Sequence, residues 1–232
     1  GYAKLFSEST IWRGYLNTII YTVCGTALNI ALTIPAGWAL SRNYLPGRKI
    51  IMPFLILTMF FGGGLIPYYV LISHLGLIDN PLVMIISGGV SVYNIFMVKS
   101  YYQTNIPKEI LEASEIDGCG ELRTFFSIVV PLSKPIIAVM ILFYAVGHWN
   151  AYFDAMIFLR NEDLYPLQLI LKNIFDAANS GAASGGTTSE QAIQLANQIK
   201  YSSIIVSSLP IICVYPFFQK SFDQGFLVGS FK

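Results

Sequence analysis

The chain has 232 residues, of which 54% are hydrophobic and 12% charged, and its formal net charge is +1. Because a soluble globular protein carries about 25% charged residues, this composition indicates a membrane protein. The near-neutral net charge argues against nucleic acid as a partner.

The cysteines are scattered and show no metal-binding or redox spacing. Cys24 and Cys213 lie in apolar segments, so we expect them to be small core residues, and we predict no disulfide. The chain starts at Gly1, and no basic-then-apolar export signal precedes the first long apolar stretch. We therefore expect a mature fragment, or a chain whose start lies further upstream.

Five apolar stretches have the length of about 20 residues that a helix needs to cross a bilayer. They cover residues 15–40, 50–72, 81–99, 135–159 and 201–219. They lack the alternation typical of an outer-membrane barrel. We predict an all-α, polytopic transmembrane bundle with five visible spans. The glycines at 62–64 predict a break in the second span, either an ordinary kink or backbone that faces a cavity.

The basic residues predict the orientation of these spans. One side of the membrane receives nine of them: Arg42, Arg48, Lys49, Lys99, Lys108, Arg123, Lys134, Lys220 and Lys232. The other side receives five: Lys4, Arg13, Arg160, Lys172 and Lys200. Since short cationic loops stay in the cytoplasm, the first group marks the inside. The N-terminus is then outside and the C-terminus inside, which predicts a sixth helix upstream.

This orientation divides the chain into an external segment (1–14), a transmembrane domain (15–222) and a cytoplasmic tail (223–232). Within the domain we expect a cytoplasmic loop at about 104–132 and an external loop at about 161–200. The external loop is rich in small residues from Asp176 and is predicted to become helical near Ser189. We consider it either a surface that meets a partner or a flexible connection.

Polar residues inside the spans indicate either helix contacts or a transport path. In the first span, Thr18, Thr22, Thr26, Asn29 and Thr33 share one helical face, and helix contact is the preferred interpretation. Along the later spans we select six residues for a substrate path: Asn94, Tyr144, Trp149, Asn150, Tyr152 and Asp154. Aromatic, amide and carboxylate groups suit sugar rings, and the alternative is an aromatic belt at the outer interface.

The loop between the third and fourth spans carries the sharpest signal. Pro107 suits a first helical position, and Gly118 can take the left-handed conformation that ends a helix. The helix between them has an apolar face and an acidic face, and a second apolar stripe follows at Leu122, Phe125, Phe126 and Val129. Such a pair of helices can insert into a groove on a soluble partner. The alternative is an interfacial helix on lipid, but such helices are normally basic.

This loop resembles the EAA loop of permease subunits in ATP-driven (ABC-type) importers. The matching residues are Glu112, Ala113, Gly118, Ile128 and Pro131, and the departures are Ser114 for alanine and Val130 for leucine. The segments Asn17-Thr18 and Trp149–Phe153 resemble the carbohydrate branch typified by the maltose permease subunits. The stretch 189–217 resembles the complex-oligosaccharide subgroup of Gram-positive bacteria.

The resemblance implies a coupling helix that docks on an ATPase through Glu112, Ala113, Ser114, Asp117, Gly118 and Cys119. It also implies a C-terminal ATPase contact at Gly225, Gly229 and Lys232. The implied partners are a second, homologous but different permease, two ATPase subunits, an external solute-binding protein and an oligosaccharide, in a bacterial plasma membrane. ATP and Mg would be bound by the ATPase, so we expect this chain to bind no cofactor and to catalyse nothing.

Other functions remain open on the sequence. The same superfamily also imports amino acids, peptides and polyamines. A carrier or channel acting alone is a third hypothesis, against which the lack of paired intramembrane charges counts. A membrane enzyme is the weakest, because the chain has no phosphate-binding G-x-x-x-x-G-K-[ST], no H-E-x-x-H and no nucleophile elbow.

Overall fold

The structure is a computed structural model that describes residues 9–183 and residues 205, 208–210 and 212. The regular structure of these residues is helical, as predicted. In chain order the helices are α1 (Ser9–Ser41), α2 (Arg48–Phe60), α3 (Leu65–His74), α4 (Leu82–Ile86), α5 (Val92–Asn105), α6 (Lys108–Ile116), α7 (Glu121–Leu132), α8 (Lys134–Trp149), α9 (Tyr152–Phe158) and α10 (Leu167–Ala183). A 3-10 turn at Glu162–Leu164 precedes α10.

Contacts between Cα atoms divide the chain into two units. Of the described residues, the first unit comprises 9–25, 66–87 and those from 145 onward, and the second comprises 26–65 and 88–144. Helix α1 therefore contributes its first half to one unit and its second half to the other.

The first unit has two apolar clusters. In one, Phe158 is fully buried, and its ring stacks on that of Tyr69 with centroids 6.0 Å apart. In the other, Trp149 packs with the fully buried Leu167 at the start of α10. Polar bonds fix the same region: Thr18 Oγ1 accepts a hydrogen bond from the backbone N–H of Leu167 at 2.8 Å.

The core of the second unit lies between α1, α5, α7 and α8. Trp38 of α1 meets Tyr102 of α5 edge-on at 5.7 Å and lies 6.3 Å from Phe125 of α7. Val98 and Met140 are fully buried in the same cluster. Because lipid gives helices no hydrophobic reason to associate, close packing of this kind must hold such a unit together.

Three of the predicted spans are interrupted in the structure. Residues 50–72 break at the glycines 62–64, as the sequence suggested. Residues 81–99 break at Gly88, whose positive φ of 69° interrupts the helical path. Residues 135–159 break at Asn150, whose side-chain amide donates to the carbonyl of Val146 at 2.8 Å and so satisfies a helix-end acceptor.

These breaks change the predicted number of spans. Among the described residues, only α1 is long and apolar enough to cross a bilayer by itself. The bent helix pairs α2–α3 and α7–α8 are long and apolar enough only if each pair is counted as one span. The described residues then contain at most three spans. The predicted fifth span, 201–219, lies almost wholly outside the described residues.

Two helices lie where the sequence predicted segments outside the membrane, and one prediction of burial was wrong. Helix α1 begins at Ser9, within the predicted external segment 1–14. The 17-residue helix α10, whose apolar side packs on α1 and Trp149, lies within the predicted external loop 161–200. The location of both segments outside the membrane stays a prediction. Cys24 is exposed on α1 and is not a core residue. The expected helix from Ser189 and Cys213 lie outside the described residues.

Candidate functional site

The first arm of the predicted cytoplasmic loop is helix α6, and it begins directly after Pro107. Pro107 has φ −61° and ψ 134°, so it is extended and precedes the helix by one residue, contrary to the first helical position that we predicted. Glu109 lies in the first turn, where a negative charge is favoured by the helix dipole. The sequence prediction of a short helix is therefore confirmed, with its start moved by one residue.

Helix α6 ends at Gly118 in the manner predicted. Gly118 has φ +73°, a conformation that costs other residues free energy. Its N–H donates to the carbonyl of Glu115 at 3.0 Å, and the N–H of Cys119 donates to the carbonyl of Ser114 at 2.9 Å. These two bonds form a Schellman motif, which satisfies the last carbonyls of the helix and turns the chain sharply.

The second arm is helix α7, which is fixed to the core from one side only. Phe125 and Val129 are buried, and a π-helical turn runs over Phe125–Val129. The hydroxyl of Thr124 lies 3.3 Å from that of Ser114, which joins the two arms beneath the turn. Ser114 Oγ also donates to the carbonyl of Leu111 at 2.7 Å. The two arms therefore form one hydrogen-bonded elbow, residues 108–132.

Three large apolar side chains of the elbow point away from the protein. Ile116 is 86% exposed, Leu122 76% and Phe126 65%. We call them the tip residues. The sequence placed all three on apolar faces of the two helices. In the structure the core covers only the part of each face that carries Leu111 on α6 and Phe125 and Val129 on α7. A shallow groove of about 370 Å³ lies beside them, lined by Glu109, Ile110, Ala113, Ser114, Asp117, Cys119 and Ile128.

The six predicted coupling residues all lie on the elbow, in different environments. The exposed ones are Glu112, Ala113, Asp117 and Gly118. Cys119 is partly buried and Ser114 is 4% exposed. Ser114 therefore faces the inside of the elbow. The predicted C-terminal contact residues Gly225, Gly229 and Lys232 lie outside the described residues.

A cluster of charged and aromatic side chains at the end of α1 was missed by the sequence analysis. The guanidinium of Arg42 lies 3.0 Å from a carboxylate oxygen of Glu115 and 3.6 Å from one of Glu121. Tyr44 donates to Glu121 and accepts from Arg42 Nε at 2.8 Å. Arg42 entered the sequence analysis only as an orientation charge, because pairs 73 or more residues apart leave no local signal.

Two residues of the predicted substrate path belong to the second unit. Asn94 is 8% exposed, and its backbone N–H bonds to Ser91 Oγ at 3.4 Å. Tyr144 is buried, and its hydroxyl lies 2.7 Å from that of Thr33 on α1. Tyr144 therefore links two helices.

The remaining four residues of that path belong to the first unit and have separate environments. Trp149 is buried against the start of α1 and against α10, whereas Tyr152 is 42% exposed. Asp154 accepts a hydrogen bond from Ser87 Oγ at 2.8 Å. Asn150 bonds back to its own helix. These contacts do not gather the four side chains into one sugar-binding cluster.

The polar face of α1 makes helix contacts, which was the preferred interpretation. Thr18, Asn29 and Thr33 are fully buried, and Thr26 is 8% exposed. Asn29 Nδ2 donates to the carbonyl of Gly88 at 2.9 Å. A buried amide that reaches the broken backbone at Gly88 satisfies a group that lipid could not.

Comparison with known proteins covers nearly the whole chain. Residues 10–228 match the family described as the binding-protein-dependent transport system inner membrane component. From Bacillus subtilis (strain 168), protein LplC is 36% identical over 231 residues, covering 100% of this chain and 78% of its own. From the same organism, the polygalacturonan/rhamnogalacturonan transport system permease protein YtcP is 37% identical over 237 residues, covering 100% of this chain and 80% of its own.

A solved structure agrees with these relatives. It is the crystal structure of a bacterial ABC transporter involved in the import of the acidic polysaccharide alginate. The similar chain in it is 31% identical, superposes with a TM-score of 0.82, and matches over 95% of this chain and 78% of its own length. The chain with the two-helix elbow therefore belongs to the family of inner-membrane permease components of binding-protein-dependent transport systems.

Proposed function

We propose that this chain is the permease subunit of an ATP-driven importer of oligosaccharides, and that the elbow docks on a partner ATPase. The observation that carries the proposal is the elbow itself. Three large apolar side chains are exposed around a sharp glycine turn, on two helices that are bonded to each other and anchored in the core. An exposed apolar group on a rigid support is typical of a protein interaction site.

The charge of the elbow favours a protein partner over the lipid surface. Helix α6 and its cap carry Glu109, Glu112, Glu115 and Asp117 against the single Lys108. Interfacial lipid-binding helices are normally rich in Lys and Arg on their polar face. Helix-in-groove recognition instead uses apolar anchors beside charged residues that select the partner. We therefore assign the tip residues as anchors and the acidic residues other than Glu115, which pairs with Arg42, as the group that orients the docking.

The membrane orientation that the basic residues predict puts the elbow and the C-terminus in the cytoplasm. Lys108 and Arg123 lie on the elbow and Arg42 contacts it, which agrees with the positive-inside rule. In this arrangement ATP and Mg are bound by two ATPase subunits. Closure of those subunits pushes the elbow, and the helices rock between inward-facing and outward-facing states.

The proposed cargo rests on the named relatives. One is named for polygalacturonan and rhamnogalacturonan transport, and the solved transporter for alginate import. Others are named for maltodextrin and arabinooligosaccharide transport. We extend this cargo class to the present chain, together with a second permease subunit and an external solute-binding protein. Amino acids, peptides and polyamines are the cargo classes that the test must exclude.

Docking can be tested by cross-linking from a single cysteine on the elbow. The native cysteines are first replaced by serine, and Ile116→Cys is then introduced and paired with cysteines around the expected groove of the co-expressed ATPase. Trp12→Cys is the control, because Trp12 is 58% exposed but lies at the opposite end of α1. We expect a cross-link from position 116 and none from position 12. Position 116 labelled only by lipid-soluble reagents would contradict the proposal.

A further inference from the structure

The strongest feature outside the docking surface is the environment of Arg42. The residue follows the last residue of α1, and its guanidinium carbon lies 4.8 Å from the ring centroid of Trp38 and 4.9 Å from that of Tyr44. Its side chain is only 14% exposed. A guanidinium between two aromatic rings is attracted to both π-faces and loses much of its freedom to swing.

The carboxylates that meet this cation come from both arms of the elbow. Glu115 belongs to α6 and Glu121 to α7, so they lie on opposite sides of the turn at Gly118. Arg42 lies 3.0 Å from the first and 3.6 Å from the second. The hydroxyl of Tyr44 donates to Glu121, which gives the second arm another link to the same segment.

The aromatic support of Arg42 belongs to the core of the unit. Trp38 is 7% exposed and packs against Tyr102 and Phe125 in the largest apolar cluster of this unit. The position of the cation is therefore set by packed helices. The two carboxylates are 58% and 49% exposed, and an isolated surface pair of that kind contributes little to stability. The cluster therefore matters for the positions of its members, because one fixed cation holds two carboxylates in place.

A cleft of about 460 Å³ adjoins the cluster. Its walls include Gln103, Lys108 and Glu112 as well as Arg42 and Glu115. In this region α6 and the end of α1 are thus separated by open space. The polar cluster bridges a gap that close packing does not fill.

We infer that Arg42 is a positioning residue that ties both arms of the elbow to the end of α1, so that displacement of the elbow moves α1. This inference rests on the proposed function. A push on the elbow can reach the membrane helices through α7, which continues into α8 and packs Phe125 on Trp38 of α1. It can also reach α1 through Arg42, whose ion pairs include α6. Loss of the second route lets α6 shift without moving α1.

The test measures the number of solute molecules imported per ATP hydrolysed, with the whole transporter in proteoliposomes. Arg42→Gln removes the cation. Tyr44→Phe removes only the hydroxyl, which donates to Glu121 and accepts from Arg42 Nε. Lys49→Gln is the matched control, since it removes an exposed cation of the helix that follows Arg42 in the sequence. We expect Arg42→Gln to lower the import per ATP at least fivefold and Tyr44→Phe about twofold, with Lys49→Gln unchanged.

This ratio distinguishes positioning from general damage. A variant that merely folds less well loses import and ATP hydrolysis together, so the ratio stays at the wild-type value. Arg42→Lys keeps the charge but loses the planar guanidinium, in which Nη2 faces both acids while Nε donates to Tyr44, and we expect it to recover part of the ratio. If Arg42→Gln does not assemble with the ATPase, the ratio is measured instead in the double variant Glu115→Gln/Glu121→Gln. This variant removes both ion pairs while Arg42 stays on its aromatic support.

An unchanged ratio in Arg42→Gln, or in the double glutamine variant if the first fails to assemble, overturns the inference. That result leaves the proposed function intact, provided that the wild-type transporter imports solute with ATP. Failure of the wild-type protein to use ATP at all would instead overturn the proposed function itself.

Discussion

The close crossing of α1 and α5 in the second unit yields a prediction that can be worked through quantitatively. A Cβ atom at Gly37 would lie 2.5 Å from Val98 Cγ1, 2.9 Å from Val98 Cβ and 3.2 Å from the backbone nitrogen of Lys99. Val98 is fully buried, and its β-branched side chain cannot rotate out of the way without a new clash. Gly37→Ala must therefore push the two helices apart.

The net effect of Gly37→Ala combines two opposed terms. Alanine favours a helix over glycine by about 1 kcal/mol, whereas overpacking a core costs about 1–3 kcal/mol. Because the obstructing atoms include a branched Cβ and backbone, we place the overpacking cost at the high end of its range. The variant should then be less stable than the wild type by about 1–2 kcal/mol.

A matched control and a second substitution make this measurement decisive. Gly147 lies in α8, where a Cβ added to the residue would meet no neighbour within 4 Å, so Gly147→Ala should keep only the helix-propensity gain. Unfolding in mixed detergent micelles, followed by tryptophan fluorescence, gives the free energies. In a Val98→Ala background the 2.5 Å contact with Cγ1 is gone, whereas the contacts with the Cβ atom at 2.9 Å and the Lys99 backbone at 3.2 Å remain, so Gly37→Ala should lose part of its cost. An equal cost in both backgrounds, or a Gly37→Ala protein as stable as Gly147→Ala, would refute the crossing.

Three further outcomes follow from the described residues. Gly25→Ala puts a Cβ 2.4 Å from the His148 imidazole, so melting temperature should fall and recover when His148→Ala is added; no recovery would place the clash elsewhere. Gly118→Val should lower the stability of the fold by about 1–2 kcal/mol, because φ is positive at this position. It should also reduce co-purification of the ATPase, whereas Gly118→Asn should be tolerated. Equal effects of the two substitutions would contradict the left-handed turn. Hydrogen bonds from the backbone N–H groups of Asn161 and Arg160 hold the pKa of Asp79 below its ordinary value of 3.8. Ionised Asp79 therefore stabilises the fold above about pH 4. The difference in melting temperature between the wild type and Asp79→Asn should disappear as the pH falls through the lower folded pKa. A difference that does not change with pH would be inconsistent with these hydrogen bonds.

The elbow could be predicted from the sequence because its determinants are local. A helical run of mixed polarity, a glycine shortly after it and a second apolar run specify two helices and a turn. Gly118 adopts the left-handed conformation that a glycine at a helix end permits. The direction of the tip residues was not predictable, because which edge of each helix is covered depends on the distant residues of α1 and α5.

Helix α10 was missed although its sequence carried a signal. Leu167, Ile170, Leu171 and Ile174 recur at helical spacing, and the first three are buried in the structure. The small residues that follow led to a loop prediction, because composition was given more weight than periodicity. The breaks at Gly88 and Asn150 were missed for a related reason, whereas the break at glycines 62–64 was predicted. An apolar stretch of the right length contains no information about a turn at Gly88 or Asn150 unless each position is considered separately.

Neither the Arg42 cluster nor the dispersal of the predicted path residues could be inferred from spacing. Arg42 meets Glu115 across 73 positions, and Asp154 meets Ser87 across 67. Such contacts depend on how the helices pack, and a single sequence gives no measure of that packing.

The most direct test of the central claim is uptake by the complete transporter in proteoliposomes. The chain is reconstituted with its second permease, ATPase and solute-binding protein, and labelled neutral and uronic-acid oligosaccharides are compared with an amino acid, a peptide and a polyamine. The account predicts accumulation of an oligosaccharide only when ATP and the binding protein are both present. Accumulation of a non-sugar solute alone, or equal uptake without ATP, would contradict it.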